Sequence, residues 1–184
     1  MKTHAITAAG MLVCSLVALA PVAVRAQQAA APAAATGLQA DLLKDWQGLK
    51  DTMVKIADAM PPDKFDFKPK PEVRTYGEQI LHVAGANVMI LKAIDPSVAA
   101  PEIPKTASKA EAIKALSDSF DYGTTLLKAQ TNSTLVETVN GPAFLGPSTR
   151  ARLVYRTMGH TWDEYGVMTV YLRLNGLVPP ASQR

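Results

Sequence analysis

The chain has 184 residues, with 19 lysines and arginines against 16 acids, a formal net charge of +3 and one cysteine, Cys14. It carries no basic stripe with interleaved aromatics, so a nucleic-acid partner has no electrostatic support. Beyond Cys14 there is no cysteine, which excludes disulfides and thiol nucleophiles from the rest of the chain and leaves His, Asp and Glu as its metal-binding side chains.

Residues 1–26 read as a secretory signal peptide. Lys2 supplies the positive start, Ile6–Ala20 a short apolar core, and Val24-Arg25-Ala26 the small residues that precede cleavage before Gln27. The apolar run is short for a bilayer and is followed at once by Pro21, so no stable membrane span is expected after cleavage. Val13 stands before Cys14 where a lipoprotein signal needs a small residue, so lipid attachment is not expected either. Loss of Lys2 and Arg25 leaves 17 basic residues against 16 acids, a net charge of +1. The mature protein is expected in the periplasm or outside the cell. Residues 27–37 (QQAAAPAAATG) form a low-complexity tether, and residues 38–184 make up one domain.

Along that domain, Leu42, Leu43, Trp46, Leu49, Met53 and Ile56 recur every three or four residues and predict an amphipathic helix over 38–60. Pro61 and Pro62 stop it, and residues 63–74 are expected to be extended around Pro69 and Pro71. Thr75-Tyr-Gly-Glu78 is a capping box that opens a second helix running to Ile94. A proline-bearing loop over 97–107 leads to a second capping box, Ser108-Lys-Ala-Glu111, and a third helix to Gln130 with Ala112, Leu116, Phe120, Leu126 and Leu127 inward. Val136–Val139 reads as a short strand or a turn. Asn140-Gly-Pro142 and Gly146-Pro147 punctuate the next connection, and a fourth helix spans 149–175, closed by Gly176. The fold class is therefore all-α, a four-helix bundle.

Two helices carry polar residues where a bundle wants apolar ones. Positions 153, 157, 160, 164, 167, 171 and 174 form the expected seam of the fourth helix and read Leu, Thr, His, Glu, Val, Tyr, Leu. A buried carboxylate without a partner costs several kcal/mol, so His160 and Glu164 require a metal, a cation, a wet pocket or each other. His82 interrupts Ile80-Leu-His-Val-Ala84 in the second helix, with Gly85 leaving room and Glu78 and Gln79 available as outer acceptors for the imidazole. His82, His160 and Glu164 are the candidate metal ligands if these helices face each other. A hydrogen-bonded core histidine and an intrahelical His160–Glu164 ion pair are the plainer alternatives. Trp46 and Trp162 are expected to pack, Asp163 and the arginines at 150, 152, 156 and 173 to face solvent, and no serine has a nucleophile-elbow setting.

The runs Pro61-Pro-Asp-Lys-Phe-Asp-Phe-Lys-Pro69, Thr75-Tyr-Gly-Glu-Gln-Ile-Leu-His82, His160-Thr-Trp-Asp-Glu-Tyr-Gly166 and Tyr171-Leu-Arg-Leu-Asn-Gly-Leu-Val-Pro-Pro180 resemble the DinB-like superfamily. The resemblance implies an up-and-down or crossed four-helix bundle, often with a divalent metal on three histidines. The first lies on the second helix, where this chain has His82. The other two lie four apart on the last helix, followed by a Gly-Gln pair; here those positions read His160, Glu164 and Gly166-Val167. Two His and a Glu is a known zinc set, and the harder carboxylate favours zinc, manganese or iron over nickel.

The resemblance also implies thiol-dependent transferases or isomerases among relatives, and no DNA binding. The expected function is an exported bundle holding a divalent metal between helices, acting as a metal-dependent hydrolase or thiol transferase on an unidentified small molecule. The alternative is a metal-free periplasmic bundle that binds a small ligand or forms a homodimer. No residue stands out as a general base.

Overall fold

The computed structural model describes residues 37–183. The expected signal peptide and residues 27–36 of the tether lie outside the described residues. Four long helices dominate, as the periodicity predicts. Helix α1 (Leu38–Ala59) buries Trp46, Leu49, Met53 and Ile56 and ends where Met60 turns extended ahead of two prolines. The segment after it is not wholly extended: Pro62–Lys64 makes one 3-10 turn, for which the fixed φ of Pro62 is suited.

Helix α2 (Tyr76–Leu91) begins at a complete capping box. The Thr75 amide donates to Glu78 Oε2 at 2.7 Å and the Glu78 amide to Thr75 Oγ1 at 3.1 Å. It ends three residues before the predicted Ile94. Helix α3 (Lys109–Lys128) opens on the second capping box, Ser108 with Glu111.

The connection that follows holds more structure than the short strand or turn expected at Val136–Val139. Helix α4 (Asn132–Leu135) is a single turn capped by Thr131. Strands β1 (Thr138–Asn140) and β2 (Pro147–Thr149) then pair antiparallel, Thr138 opposite Thr149 and Asn140 opposite Pro147. Helix α5 (Arg150–Leu174) starts at Thr149, whose hydroxyl accepts from the Arg152 amide. It closes at Gly176, with φ of +72°. The Gly176 and Leu177 amides reach back to the carbonyls of Arg173 and Leu172, both at 3.0 Å, the left-handed closure that glycine makes cheap.

Helix α2 packs on α3 and α5, and α1 packs on α3 and α5. Around the bundle the order is thus α1, α3, α2, α5. The links 60–75 and 129–149 cross diagonals, and 92–108 joins neighbours. Trp46 anchors the core: its indole N–H donates to the Phe120 carbonyl at 2.9 Å, and the two rings stand 4.6 Å apart. A Cβ on Gly123 would fall 2.5 Å from the Trp46 ring, so glycine is what admits the indole there.

Two residues, Arg150 and Trp162, depart from their predicted settings. Arg150 is no solvated helix residue. Its guanidinium donates to the carbonyls of Ile94 and Thr134 and to Glu137 Oε2 at 3.3, 3.1 and 2.8 Å, tying α4 and the hairpin to the end of α2. Arg152 stays exposed as expected, though it donates to the Leu145 carbonyl and the Ser148 hydroxyl. Trp162 is not a core residue; it is 48% exposed and edges onto Tyr165. Among the described residues no helix is long and apolar enough to cross a membrane.

Candidate metal centre

The buried stripe of α5 is Leu153, Val154, Thr157, Thr161, Met168, Tyr171 and Leu172, which differs from the predicted seam. The stripe keeps the seven-residue period, with Val154, Thr161 and Met168 on one row and Thr157 and Tyr171 on the other, so the first row falls one residue later than the expected 153, 160, 167 and 174. Val167 and Leu174 consequently face solvent and His160 comes to rest at the margin of the stripe, while Glu164 stays in line with the buried Thr157 and Tyr171. The capping box at Thr75 fixes where α2 begins and sends Ile80, Val83 and Ala84 into the core. His82 is left half-buried on the side that meets α5.

The structure brings His82, His160 and Glu164 together. One donor atom from each lies within 4.8 Å of the other two. His82 Nε2 is 3.3 Å and His160 Nδ1 3.8 Å from the same carboxylate oxygen, Glu164 Oε1. The imidazole planes are nearly perpendicular, with ring centres 5.0 Å apart. Side-chain exposure is 31%, 28% and 14% for His82, His160 and Glu164, so the cluster is sheltered and still reachable.

Glu164 is held from behind. The Gln79 side-chain amide donates to its other oxygen, Oε2, and Gln79 is itself buried. Glu78 and Gln79 were expected as acceptors for His82. Instead the Glu78 carboxylate is spent on the helix cap and Gln79 acts as a donor to Glu164. Its position one turn before His82, on the same face, was the signal for a partner, though not for which one.

Burial and then the Arg74 guanidinium pull the His82 pKa below its ordinary value, against an opposing pull from Glu164. A neutral imidazole keeps a lone pair for coordination. Ligands 2.0–2.1 Å from a tetrahedral ion stand about 3.3–3.4 Å from one another; His82 Nε2 has that separation from Oε1, and the wider spacing of the set, up to 4.8 Å, calls for a small closure around an ion.

A pocket of about 480 Å³ opens on the two imidazoles. Met89, Phe144, Tyr155 and Arg156 contribute to its walls, as does Asp163, expected to be merely solvated. On the opposite side, a second hollow of about 520 Å³ reaches Glu164, Gln79, Arg74 and Tyr171. Sequence reasoning missed Phe144, Arg156 and Asp163 as neighbours of the cluster, because the first sits in an irregular loop and the others read as surface charge.

The family model described as the DinB family matches residues 33–183. Two solved structures are similar in fold. One is a DinB-like protein from Bacillus cereus, 19% identical, covering 76% of this chain and 93% of that one, with a TM-score of 0.65. The other is a DinB-like protein from Bacillus subtilis, 18% identical, covering 78% of this chain and 99% of that one, with a TM-score of 0.61. No curated protein matches the chain.

Proposed function

The chain belongs to the DinB family, and on that footing we propose that it is an exported protein that holds a divalent metal on His82, His160 and Glu164 and uses it on a small molecule. The observation that carries the reading is the convergence of both imidazoles on one carboxylate oxygen, 3.3 and 3.8 Å away, while Gln79 occupies the other. The donor set is all nitrogen and oxygen, which suits zinc first, then manganese or iron, and nickel less.

A metal held there would lower the pKa of a bound water or thiol, or polarise a carbonyl. The chain's own part is positional. Gln79 holds the carboxylate with Oε1 left for the imidazoles, burial and Arg74 favour the neutral form of His82, and three protein ligands would leave a further coordination place open. Hydrolysis fits an exported protein better than thiol transfer, since reduced small thiols are mainly cytoplasmic. The metal-free reading has one observation in its favour: Gln79 and the two imidazoles already surround Glu164 with partners.

Metal analysis separates these. Protein purified from the cell envelope without an affinity tag, and its Glu164→His variant, should each carry about one zinc per chain, and Glu164→Ala far less. Near-zero metal in wild type and Glu164→His alike would end the metal reading. Intact mass of the same samples should start the chain at Gln27 or within a few residues of it; soluble protein retaining residues 1–26 would contradict export.

A further inference from the structure

We propose that the pocket in front of the two imidazoles binds a small organic anion with an apolar body, its carboxylate on the Arg156 guanidinium. The inference rests on the metal reading for what happens to the anion, and on the pocket alone for its being bound.

The volume, about 480 Å³, falls in the range of small-molecule sites. Much of the wall is apolar and left in water: Met89 is 52%, Phe144 63% and Tyr155 68% exposed, and Ile90 lies beside them. Large apolar side chains gathered around one concavity mark a binding surface more than a solvent-facing one.

Charge specifies the head group. Arg150 and Arg152 on the same helix are both spent on protein partners. Arg156 lines the pocket one turn before His160, and among the described residues no ion pair or hydrogen bond engages it. Its planar fork matches a carboxylate in geometry as well as charge. Asp163 also lines the pocket, seven residues further on, which is about 10 Å along the axis. That end repels an anion and sets the direction in which the ligand lies, head toward Arg156 and body along the apolar wall.

Gly159 forms the floor between the two ends. A Cβ built there meets no atom within 4 Å, so a larger side chain at 159 starts in open space and extends into the pocket.

The test uses 3-phenylpropanoate and its uncharged counterpart 3-phenyl-1-propanol, titrated into the protein as purified and after chelator treatment, with zinc content measured on every sample. The carboxylate should bind one-to-one and more tightly than the alcohol. Arg156→Gln should weaken the carboxylate roughly three- to tenfold and leave the alcohol unchanged. Asp163→Asn should tighten the carboxylate. Gly159→Leu should abolish binding of both, with the melting temperature kept or raised and zinc content unaltered.

Equal affinity for acid and alcohol, an Arg156→Gln variant that binds the acid as wild type does, or a Gly159→Leu variant that still binds would each overturn the proposal. Failure of the metal reading leaves a different mark: no zinc in any sample, with the preference for the carboxylate and its loss in Arg156→Gln intact.

Discussion

Two polar clusters sit where α2 meets α5, one turn apart, and they have opposite fates. Asn87, Ser119 and Thr161 are fully buried. Asn87 Nδ2 donates to Ser119 Oγ at 3.1 Å, Ser119 Oγ to the Leu116 carbonyl at 2.7 Å, and Thr161 Oγ1 lies 3.2 Å from Asn87 Oδ1 and 3.0 Å from the Thr157 carbonyl. Each atom finds its partner inside the protein, so the set pins three helices and has nothing left for a ligand. His82, His160 and Glu164 differ in two respects. Water reaches them, and two imidazoles and a carboxylate oxygen point at one place, where only protons or a cation can reconcile them. Thr161 follows His160 directly in sequence, so a rotation of about 100° around α5 separates a structural residue from a site residue.

The largest stability effect is expected from the closed cluster. Asn87→Ala removes the residue that joins the other two and leaves a buried gap, so unfolding free energy should fall by about 2–3 kcal/mol while zinc content stays at wild-type level. Denaturant unfolding measured beside metal analysis checks both halves. A variant that loses zinc while keeping its stability would erase the distinction between the clusters.

Gln79 sharpens the contrast because it is buried like the first cluster and serves the second. Gln79→Leu keeps the volume and deletes the donor to Glu164. Zinc affinity should drop on the order of tenfold, as for other outer partners of metal ligands, with a stability cost of about 1 kcal/mol. Competition against a chelator of known affinity reads the first number, and unaltered zinc binding would reduce Gln79 to packing.

The smallest effect concerns pH, in metal-free protein. The His82 pKa is held below its ordinary value of 6.5, first by burial and then by Arg74. The unfolded chain therefore takes up the proton more readily than the folded one, and stability rises with pH in that window. What His82 contributes is complete above about pH 6.5 and lost as pH falls below it. Between about pH 7 and about pH 5, wild type should lose stability more steeply than His82→Gln; parallel slopes would remove His82 as the cause.

Local chemistry was the legible part of this chain. The capping boxes at Thr75 and Ser108, the proline stop after Met60 and the glycine closure at Gly176 act over a few residues, and each formed where the residues indicated. His82, His160 and Glu164 stood out because polar side chains broke apolar periodicity. Whatever depended on three-dimensional neighbours stayed hidden. The short strand or turn expected at Val136–Val139 is a strand over Thr138–Asn140, because its partner, Pro147–Thr149, decides where pairing begins and ends. Arg150 looks like surface charge until α4 and the end of α2 surround it. Val167 and Leu174 were misplaced because a seven-residue period does not say which of two neighbouring rows, 153–160–167–174 or 154–161–168, meets the core, and Gln79 could be assigned a partner only once Glu164 was beside it.

The central claim is that the open cluster is a metal site and the closed one is not. The most direct measurement is an anomalous difference map at the zinc edge, from crystals of untagged protein grown with zinc. The account predicts one dominant peak about 2.0–2.2 Å from a nitrogen of His82, a nitrogen of His160 and Glu164 Oε1, with Gln79 still on Oε2. A map with no peak there, or a full-occupancy peak elsewhere while His82 and His160 stay bonded to Glu164 alone, would contradict it.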